Sequence, residues 1–326
     1  MTQAPGTDGV QDAGHYRRAP KHQRRWGLLV EDELKSDAAV LVQNAFRGLL
    51  AVLFYLGPSA THDVVIHGRE NVSDWHPKLL VSNHKREMDS FVLQGVLYLA
   101  RGIVRPNELL TFALREDAYW PGFLANFIRL PGVPGEWLAK LDLSPVIRLL
   151  KAYPMGMLRS RADHARMQGQ LTGFAQVLDR GHDLYWAPEG GLGLDGHLEP
   201  FRAGLHRVVE ASHAELRILP VSIVYDFMTS GRTRCAIRIG PEFAYERSWS
   251  RRELDDRVRR ALLHQMTLNV GHVMAAVLRE WPAGVARSLD GVEVAAHTHV
   301  RRLAAMGVPL DGRLSMRWTF RRRLRQ

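Results

Sequence analysis

Short apolar runs alternate with helical patterns through the middle of the chain, and this alternation limits the fold more than any other feature. Side chains repeat every two residues along a strand and every 3.6 along a helix, so spacing separates the two patterns. Strands that alternate with helices predict an α/β fold, with a sheet layered by helices. The six predicted strands are Asp63 to His67, Lys78 to Ser82, Leu109 to Leu114, Asp183 to Ala187, Arg217 to Tyr225 and Arg234 to Gly240.

The turn after the second predicted strand holds the strongest catalytic candidate, His84. It lies where strand gives way to a helix predicted from Met88 to Leu99, and α/β folds place reactive groups at such junctions. A histidine takes a proton from a hydroxyl most readily when a carboxylate holds its second ring nitrogen, and Asp89 is the predicted partner. Residues five apart point away from each other in a helix, so this pairing requires His84 to lie on the loop before the helix. Asn83 is expected to cap that helix.

A structural interpretation of the same turn stays open. In that interpretation His84 is a histidine at a helix start whose hydrogen bonds are made within the protein. Asp89 is then a carboxylate in the first turn of the helix, where the helix dipole favours a negative charge.

Three further segments follow the turn in order: Phe127-Ile128-Arg129, Pro188-Glu189-Gly190 and Leu219-Pro220-Val221-Ser222-Ile223. With Asn83, His84 and Asp89 they resemble the glycerolipid acyltransferase family, which includes bacterial 1-acylglycerol-3-phosphate acyltransferases and is marked by Asn-His-x4-Asp. The resemblance begins at Ile66 to Val72 and covers roughly the middle half of the chain. Each motif alone is weak, whereas four in order are specific. The resemblance implies a mixed, mostly parallel sheet with helices on it.

The resemblance also implies roles for residues beyond the turn. Arg129 is expected to bind the phosphate of the acyl acceptor, because a planar guanidinium matches phosphate oxygens in pairs. Glu189 and Gly190 are expected in the acceptor-binding loop, where Glu189 would hold acceptor hydroxyls. Without the resemblance, Arg129 is a charge favoured at a helix end, and the loop from Gly190 to Gly196 is only flexible.

The acceptor-binding loop departs from the family at one place. The family commonly has Thr-Arg directly after Glu-Gly, whereas this chain has Gly191 and Leu192. One phosphate-binding arginine is therefore missing. Either Arg202 compensates for it, or the acceptor carries no phosphate at that point.

The most apolar segment, Ala38 to Leu56, is predicted to form one helix that Gly57-Pro58 ends. Three polar residues, Gln43, Asn44 and Arg47, interrupt it, so it falls short of the about 20 apolar residues of a spanning helix. We therefore expect a monotopic helix that enters one leaflet, and the resemblance implies a similar membrane-associated helix. The alternative is a helix buried in the protein core.

The net charge of +10 comes from the two ends of the chain. Residues 1–25 carry +3 and residues 301–326 carry +7, so the interior is balanced. That balance argues against a nucleic-acid-binding protein with a continuous basic face. The ends are interpreted as tethers to an anionic membrane surface. A solvated tail and RNA binding by the tail are the alternatives. The C-terminal basic residues are Arg313, Arg317, Arg321, Arg322, Arg323 and Arg325, with Trp318 and Phe320 among them.

The 326 residues, 46% of them apolar, suit one large domain with appendages. We expect a mobile basic tail at 1–25, a membrane-associated amphipathic helix at 26–60, an acyltransferase domain at 61–245, and C-terminal helices with an arginine-rich tail at 246–326. In the last part, a capping box at Ser250 to Glu253 opens a long helix toward Trp281-Pro282, and another helix is predicted around Val292 to Met306.

Histidine and cysteine usage predicts no metal site or cofactor. His264 with His272, and His297 with His299, have no carboxylate or thiol at ligand spacing. Cys235 is the single cysteine, so no intrachain disulfide forms, and the N-terminal tail lacks the apolar run of a signal peptide. Both features favour the cytoplasm.

The resemblance implies an acyltransferase at the cytoplasmic face of the cell membrane, peripheral or monotopic. His84 would deprotonate a lipid hydroxyl, which attacks the thioester of acyl-CoA or acyl carrier protein directly, and backbone N–H groups near Asn83 would stabilise the oxyanion. The expected acceptor is 1-acylglycerol 3-phosphate, which yields phosphatidic acid. A phosphate-free lysolipid or glycolipid is the alternative acceptor, and a non-catalytic membrane-binding scaffold is the alternative function.

Overall fold

The computed structural model of the protein describes residues 37–86, 89–100, 110–115, 140, 142, 147, 151–156, 161–193, 197–228, 232–285 and 288–315. Its helices and strands alternate, as the sequence predicts. In chain order they are α1 (Asp37–Thr61), β1 (His62–His67), β2 (Lys78–Ser82), α2 (Asp89–Ala100), β3 (Thr111–Arg115), β4 (Ala152–Met155), α3 (Arg161–Asp179), β5 (Leu184–Trp186), α4 (Gly204–Ala211), β6 (Arg217–Asp226), β7 (Thr233–Ile239), β8 (Phe243–Ala244), α5 (Arg251–Gln265), α6 (Val270–Glu280) and α7 (Leu289–Ala305).

The strands form one sheet in the order β1-β7-β6-β2-β5-β3-β4, with β8 beside β6. The pairs β1 with β7, β6 with β2, β2 with β5, β5 with β3 and β3 with β4 are parallel. The two pairs that β6 makes with β7 and β8 are antiparallel. The predicted α/β fold with a mixed, mostly parallel sheet is confirmed.

All six predicted strands are present, within two residues at each end. Parallel strands covered on both faces read as continuous apolar runs, and all five residues of β2 are buried. The prediction missed β4 and β8. Strand β4 lies at an edge of the sheet and contains Pro154, a residue that argues against a central strand, and β8 is only two residues long.

Helices α3, α4 and α5 cover one face of the sheet and form the main core with it. Successive residues of a strand point to opposite faces, so alternate residues of β2, β5 and β6 reach this core. The fully buried side chains include Leu79, Val81, Leu178, Leu184, Leu205, Val208, Ile218, Leu254, Val258 and Leu262. This core fixes the strand ends that carry the site.

Helix α1 is longer than predicted, because it continues through Pro58 to Thr61. Proline removes one backbone donor but keeps a helical φ, so the last turn forms around it. The helix packs against α2 and contacts β1. Among the helices of the described residues, none combines the length and hydropathy needed to cross a bilayer.

The single long helix predicted after Ser250 is wrong, because the chain forms α5 and α6 with a break between them. The capping box of Ser250 and Glu253 that opens α5 is present. Leu268 leaves the helical path to form an isolated bridge with Leu310, and Asn269 caps α6 by accepting from His272 N at 3.1 Å. Helix α6 packs with α7 in a separate apolar cluster.

Several predicted features lie outside the described residues: the tail at 1–25, Arg129, and the arginines from Arg317 onward. Arg313 is described, and its guanidinium pairs with Asp63 on β1. That contact ties it to the domain rather than leaving it in a free basic tail.

Candidate active site

The carboxyl ends of three parallel strands bring the predicted residues together. Strands β2, β5 and β6 run in the same direction, so they end at one edge of the sheet. His84 follows β2, Glu189 follows β5, and Tyr225 lies at the end of β6. This is the edge where open α/β sheets hold their ligands.

His84 and Asp89 form the predicted pair. His84 lies on the loop between β2 and α2, and its Nδ1 is 3.3 Å from Asp89 Oδ2. A carboxylate only accepts, so Nδ1 carries the proton of this bond and Nε2 is the nitrogen left to act as a base. The His84 side chain keeps 21% of its surface exposed, whereas that of Asp89 has none. A carboxylate therefore holds one ring nitrogen of this histidine, as it does in a His-Asp pair.

The Asp89 carboxylate is held by three further donors. Its Oδ2 accepts from Lys85 N at 2.6 Å and from Arg86 N at 2.8 Å, and its Oδ1 accepts from the Tyr225 hydroxyl at 2.6 Å. Burial, and then the Asp89 charge, raise the pKa of Tyr225, so the hydroxyl remains a donor. Sequence reasoning missed Tyr225, whose one signal was its place two residues beyond the Leu219 to Ile223 motif.

Asn83 does not cap α2, contrary to the prediction. Its Nδ2 donates to Ile223 O at 2.8 Å, and its Oδ1 accepts from Ile223 N at 2.8 Å. Helix α2 begins at Asp89, whose own carboxylate accepts the N–H groups of the preceding turn. Asn83 thus fixes to β6 the segment of residues 83–86 with Asp89, which we call the catalytic turn.

Glu189, which follows β5, hydrogen-bonds to the same turn. Its Oε1 accepts from His84 N and its Oε2 from Glu199 N, both at 2.8 Å, and the side chain has no exposed surface. The predicted contact with acceptor hydroxyls stays a prediction, because in this structure both carboxylate oxygens accept hydrogen bonds from backbone N–H groups.

The oxyanion site expected near Asn83 stays a prediction, and three N–H groups of the turn have carboxylate acceptors in this structure. The N–H groups of His84, Lys85 and Arg86 all donate to carboxylates of Glu189 or Asp89. They are therefore already engaged.

The loop after Glu189 lies directly on the catalytic turn. Gly193 N donates to His84 O at 2.9 Å, and Lys85 Nζ donates to His197 O at 2.5 Å. Lys85 Nζ also lies 3.8 Å from Glu189 Oε2. A Cβ on Gly193 would lie 2.5 Å from Lys85 Nζ, so glycine permits the close approach. After Tyr225, Lys85 is the second residue of the site that sequence reasoning missed.

Gly190 and Arg202 meet at the rim of the site. Gly190 has φ +67°, and a Cβ there would lie 2.8 Å from Arg202 Cγ. Arg202 N donates to Pro188 O at 2.8 Å, while its side chain is exposed. Leu192, which stands where the family has arginine, is 37% exposed.

A mostly apolar cavity of about 280 Å³ lies beside the turn. Strand β6 contributes Tyr225 to it, whereas Leu219 to Ile223 are buried within the sheet. Burial raises the pKa of the Cys235 thiol, which also lines the cavity, to about 12, so this thiol stays protonated. The lining residues are Leu53, Gly57, Pro58, Thr61, His62, Val64, Arg86, Val92, Tyr225 and Cys235.

Within the part of the chain that the structure describes, no group of three or more histidine, cysteine, aspartate or glutamate side chains could hold a metal ion.

Comparisons with known proteins find a matching family and similar solved structures. Residues 63–224 match the model of the family described as Acyltransferase. No curated protein matches the chain. Among solved structures, one that the chain is similar to is the 1-acyl-sn-glycerophosphate (LPA) acyltransferase PlsC of Thermotoga maritima, with 18% identity, a TM-score of 0.46, and coverage of 72% of this chain and 85% of that one.

Proposed function

Because residues 63–224 form a domain of the acyltransferase family, we propose that the protein transfers a fatty acyl group from a thioester to a lipid hydroxyl. The observation that carries this proposal is the His84 pair with Asp89. One ring nitrogen is held by a buried carboxylate, and the other is left to take a proton. A scaffold without catalysis has no physical need for this pair and its supports.

In the proposed reaction, His84 Nε2 takes the proton of the acceptor hydroxyl while the oxygen attacks the thioester carbonyl carbon. The tetrahedral intermediate collapses with cleavage of the carbon–sulfur bond. The imidazolium, stabilised by Asp89, returns its proton to the leaving thiolate. The products are an ester and the free thiol of the carrier.

The proposed donor is acyl-CoA or acyl carrier protein, and the proposed acceptor is 1-acylglycerol 3-phosphate, which becomes phosphatidic acid. Arg202 supports a charged acceptor, because its exposed side chain lies across Gly190 in the loop that contacts the catalytic turn. Arg129 is the other proposed phosphate contact. Leu192 favours the alternative, a phosphate-free lysolipid or glycolipid, since an exposed apolar side chain stands at that place.

We propose that the enzyme acts at the cytoplasmic face of the membrane, as a peripheral or monotopic protein. Support comes from α1, where Phe46, Leu49, Leu53 and Leu56 are each 39% to 54% exposed. Their spacing of three and four residues puts them on one face of the helix. An exposed apolar stripe of this kind suits an interfacial helix.

The test is acyl transfer by the purified full chain. Radiolabelled acyl-CoA or acyl carrier protein thioester is supplied with 1-acylglycerol 3-phosphate, a monoacylglycerol or a glycolipid, in anionic or neutral vesicles. We expect esterification of the phosphate-bearing acceptor, faster on anionic vesicles. Transfer only to phosphate-free acceptors would select the alternative acceptor. Absence of transfer with every donor would contradict the proposed function and favour a scaffold.

A further inference from the structure

Arg86 lies within the catalytic turn, where two aromatic rings and an imidazole surround its guanidinium. Its Nη1 lies 2.9 Å from His62 Nε2, and its guanidinium lies over the rings of Tyr225 and Phe227, at 4.7 and 4.8 Å from their centroids. No carboxylate of the described residues contacts this guanidinium. Aromatic faces and an imidazole hold a cation in place without neutralising it.

His62 is the neutral partner in this arrangement. Burial, and then the Arg86 charge, lower the pKa of His62, so the uncharged ring is favoured. Arginine only donates, so His62 Nε2 accepts from Arg86. The proton is then on Nδ1, which lies 2.8 Å from Thr61 Oγ1 at the end of α1. The position of Arg86 is therefore fixed by α1, β1 and β6 together.

The cavity beside Arg86 gives this cation an apolar neighbour. Arg86 lines the cavity together with Leu53, which also belongs to the exposed apolar stripe of α1. The amino ends of β1 and β7 lie at the same sheet edge as the carboxyl end of β2, because β7 is antiparallel to β6. A fixed cation in the lining of an apolar cavity suits a single-chain lipid with an anionic headgroup.

We propose that Arg86 binds the phosphate of the acyl acceptor, a role that the family gives to the arginine replaced here by Leu192. The Arg86 guanidinium lies over the ring of Tyr225, whose hydroxyl donates to Asp89, the partner of His84, so a headgroup bound there is near the base. Four of the five guanidinium N–H groups have no acceptor among the described residues, and a planar fork matches phosphate oxygens in pairs. The inference rests on the proposed function and names its acceptor as an anionic lysolipid.

The test compares two acceptors that differ only in the phosphate, 1-acylglycerol 3-phosphate and the matching monoacylglycerol. Arg86→Gln removes the charge, and Arg86→Lys keeps the charge but loses the fork. Arg252→Gln is the matched control, since Arg252 is 92% exposed on α5 and pairs with Asp256. Thermal unfolding of each variant checks that the fold is retained.

We expect Arg86→Gln to raise KM for the phosphate-bearing acceptor about 10- to 100-fold, as loss of hydrogen bonds to a charged group does. Arg86→Lys should give a smaller rise, and the monoacylglycerol KM should not change. Arg252→Gln should leave both constants unchanged. An equal rise of KM for both acceptors would overturn the assignment, because the phosphate would then make no difference. A change of KM for acyl-CoA alone would also overturn it, because Arg86 would then bind the phosphates of the donor.

A binding measurement separates this inference from the proposed function. The His84→Ala protein, with and without Arg86→Gln, is titrated with 1-acylglycerol 3-phosphate. We expect Arg86→Gln to weaken binding by the same factor as it raises KM. Unchanged affinity would refute the Arg86 site even if acyl transfer is observed, and weakened affinity would support it even if transfer fails.

Discussion

Asp89 is the residue on which the catalytic turn depends. Its buried carboxylate accepts from Lys85 N, Arg86 N and Tyr225, and it lies 3.3 Å from His84 Nδ1. A buried carboxylate needs such partners, because an unpaired charge in the interior is costly. The same contacts that stabilise the charge also fix the ring of the proposed base.

Tyr225→Phe removes one of these donors, and we expect kcat to fall about 10- to 100-fold, because a small displacement of a catalytic group is costly. The raised pKa of Tyr225 keeps its hydroxyl protonated, so the loss should persist across the neutral range. The free energy of unfolding should fall by about 1–3 kcal/mol, as an unpaired buried acceptor predicts. Steady-state kinetics and denaturant unfolding check both values.

The control for this variant is Tyr185→Phe. Tyr185 is buried in β5, and its hydroxyl lies 2.9 Å from Ser82 Oγ. Burial, and then the Asp89 charge, raise the pKa of Tyr185, but the hydrogen bond of this hydroxyl is to Ser82 and not to Asp89. We expect a similar loss of stability with kcat unchanged. Equal kcat losses in the two variants would mean that Tyr225 acts only through the fold.

The sequence predicts the residue types of the proposed base and its carboxylate, but few of the residues that hydrogen-bond to them. His84 and Asp89 are five apart, and their residue types at a predicted junction of strand and helix indicate their pairing. Tyr225 is 136 residues from Asp89 and Glu189 is 105 from His84 in sequence, so only the sheet brings them together. The prediction that Asn83 caps α2 was wrong for the same reason, because its hydrogen-bond partner Ile223 is 140 residues away in sequence.

The elements that carry the site are the best predicted part of the fold. Strands β2, β5 and β6 are apolar and bounded by turns, so their patterns stand out. The break between α5 and α6 was missed, because a local apolar pattern does not reveal the bridge from Leu268 to distant Leu310. Long-range contacts override local propensity here.

The loop after β5 can be tested for its need of a glycine at position 190. Gly190→Ala places a side chain at φ +67° against Arg202, so we expect the free energy of unfolding to fall by about 1–2 kcal/mol. Activity should fall with it, since Glu189 precedes this residue. Gly191→Ala is the matched control, because a Cβ there meets nothing within 4 Å. Denaturant unfolding that shows no difference between the two would contradict the strain argument.

For the molecule as a whole, the sheet edge that bears His84 also lies beside the end of α1. Arg86 in the turn, His62 in β1 and Thr61 in α1 form one chain of polar contacts. The exposed stripe of α1 therefore belongs to the same region as the proposed base.

The role of His84 as the base is tested most directly by the acyl-transfer rate of His84→Ala, compared with that of His206→Ala. His206 is a matched control, because its Nδ1 lies 3.5 Å from Glu210 Oε2 and its side chain is 20% exposed, close to the values for His84. We predict that His84→Ala lowers kcat about 100- to 10,000-fold, the contribution of a general base, while His206→Ala leaves kcat unchanged. Transfer by His84→Ala at the rate of the wild type would contradict the account.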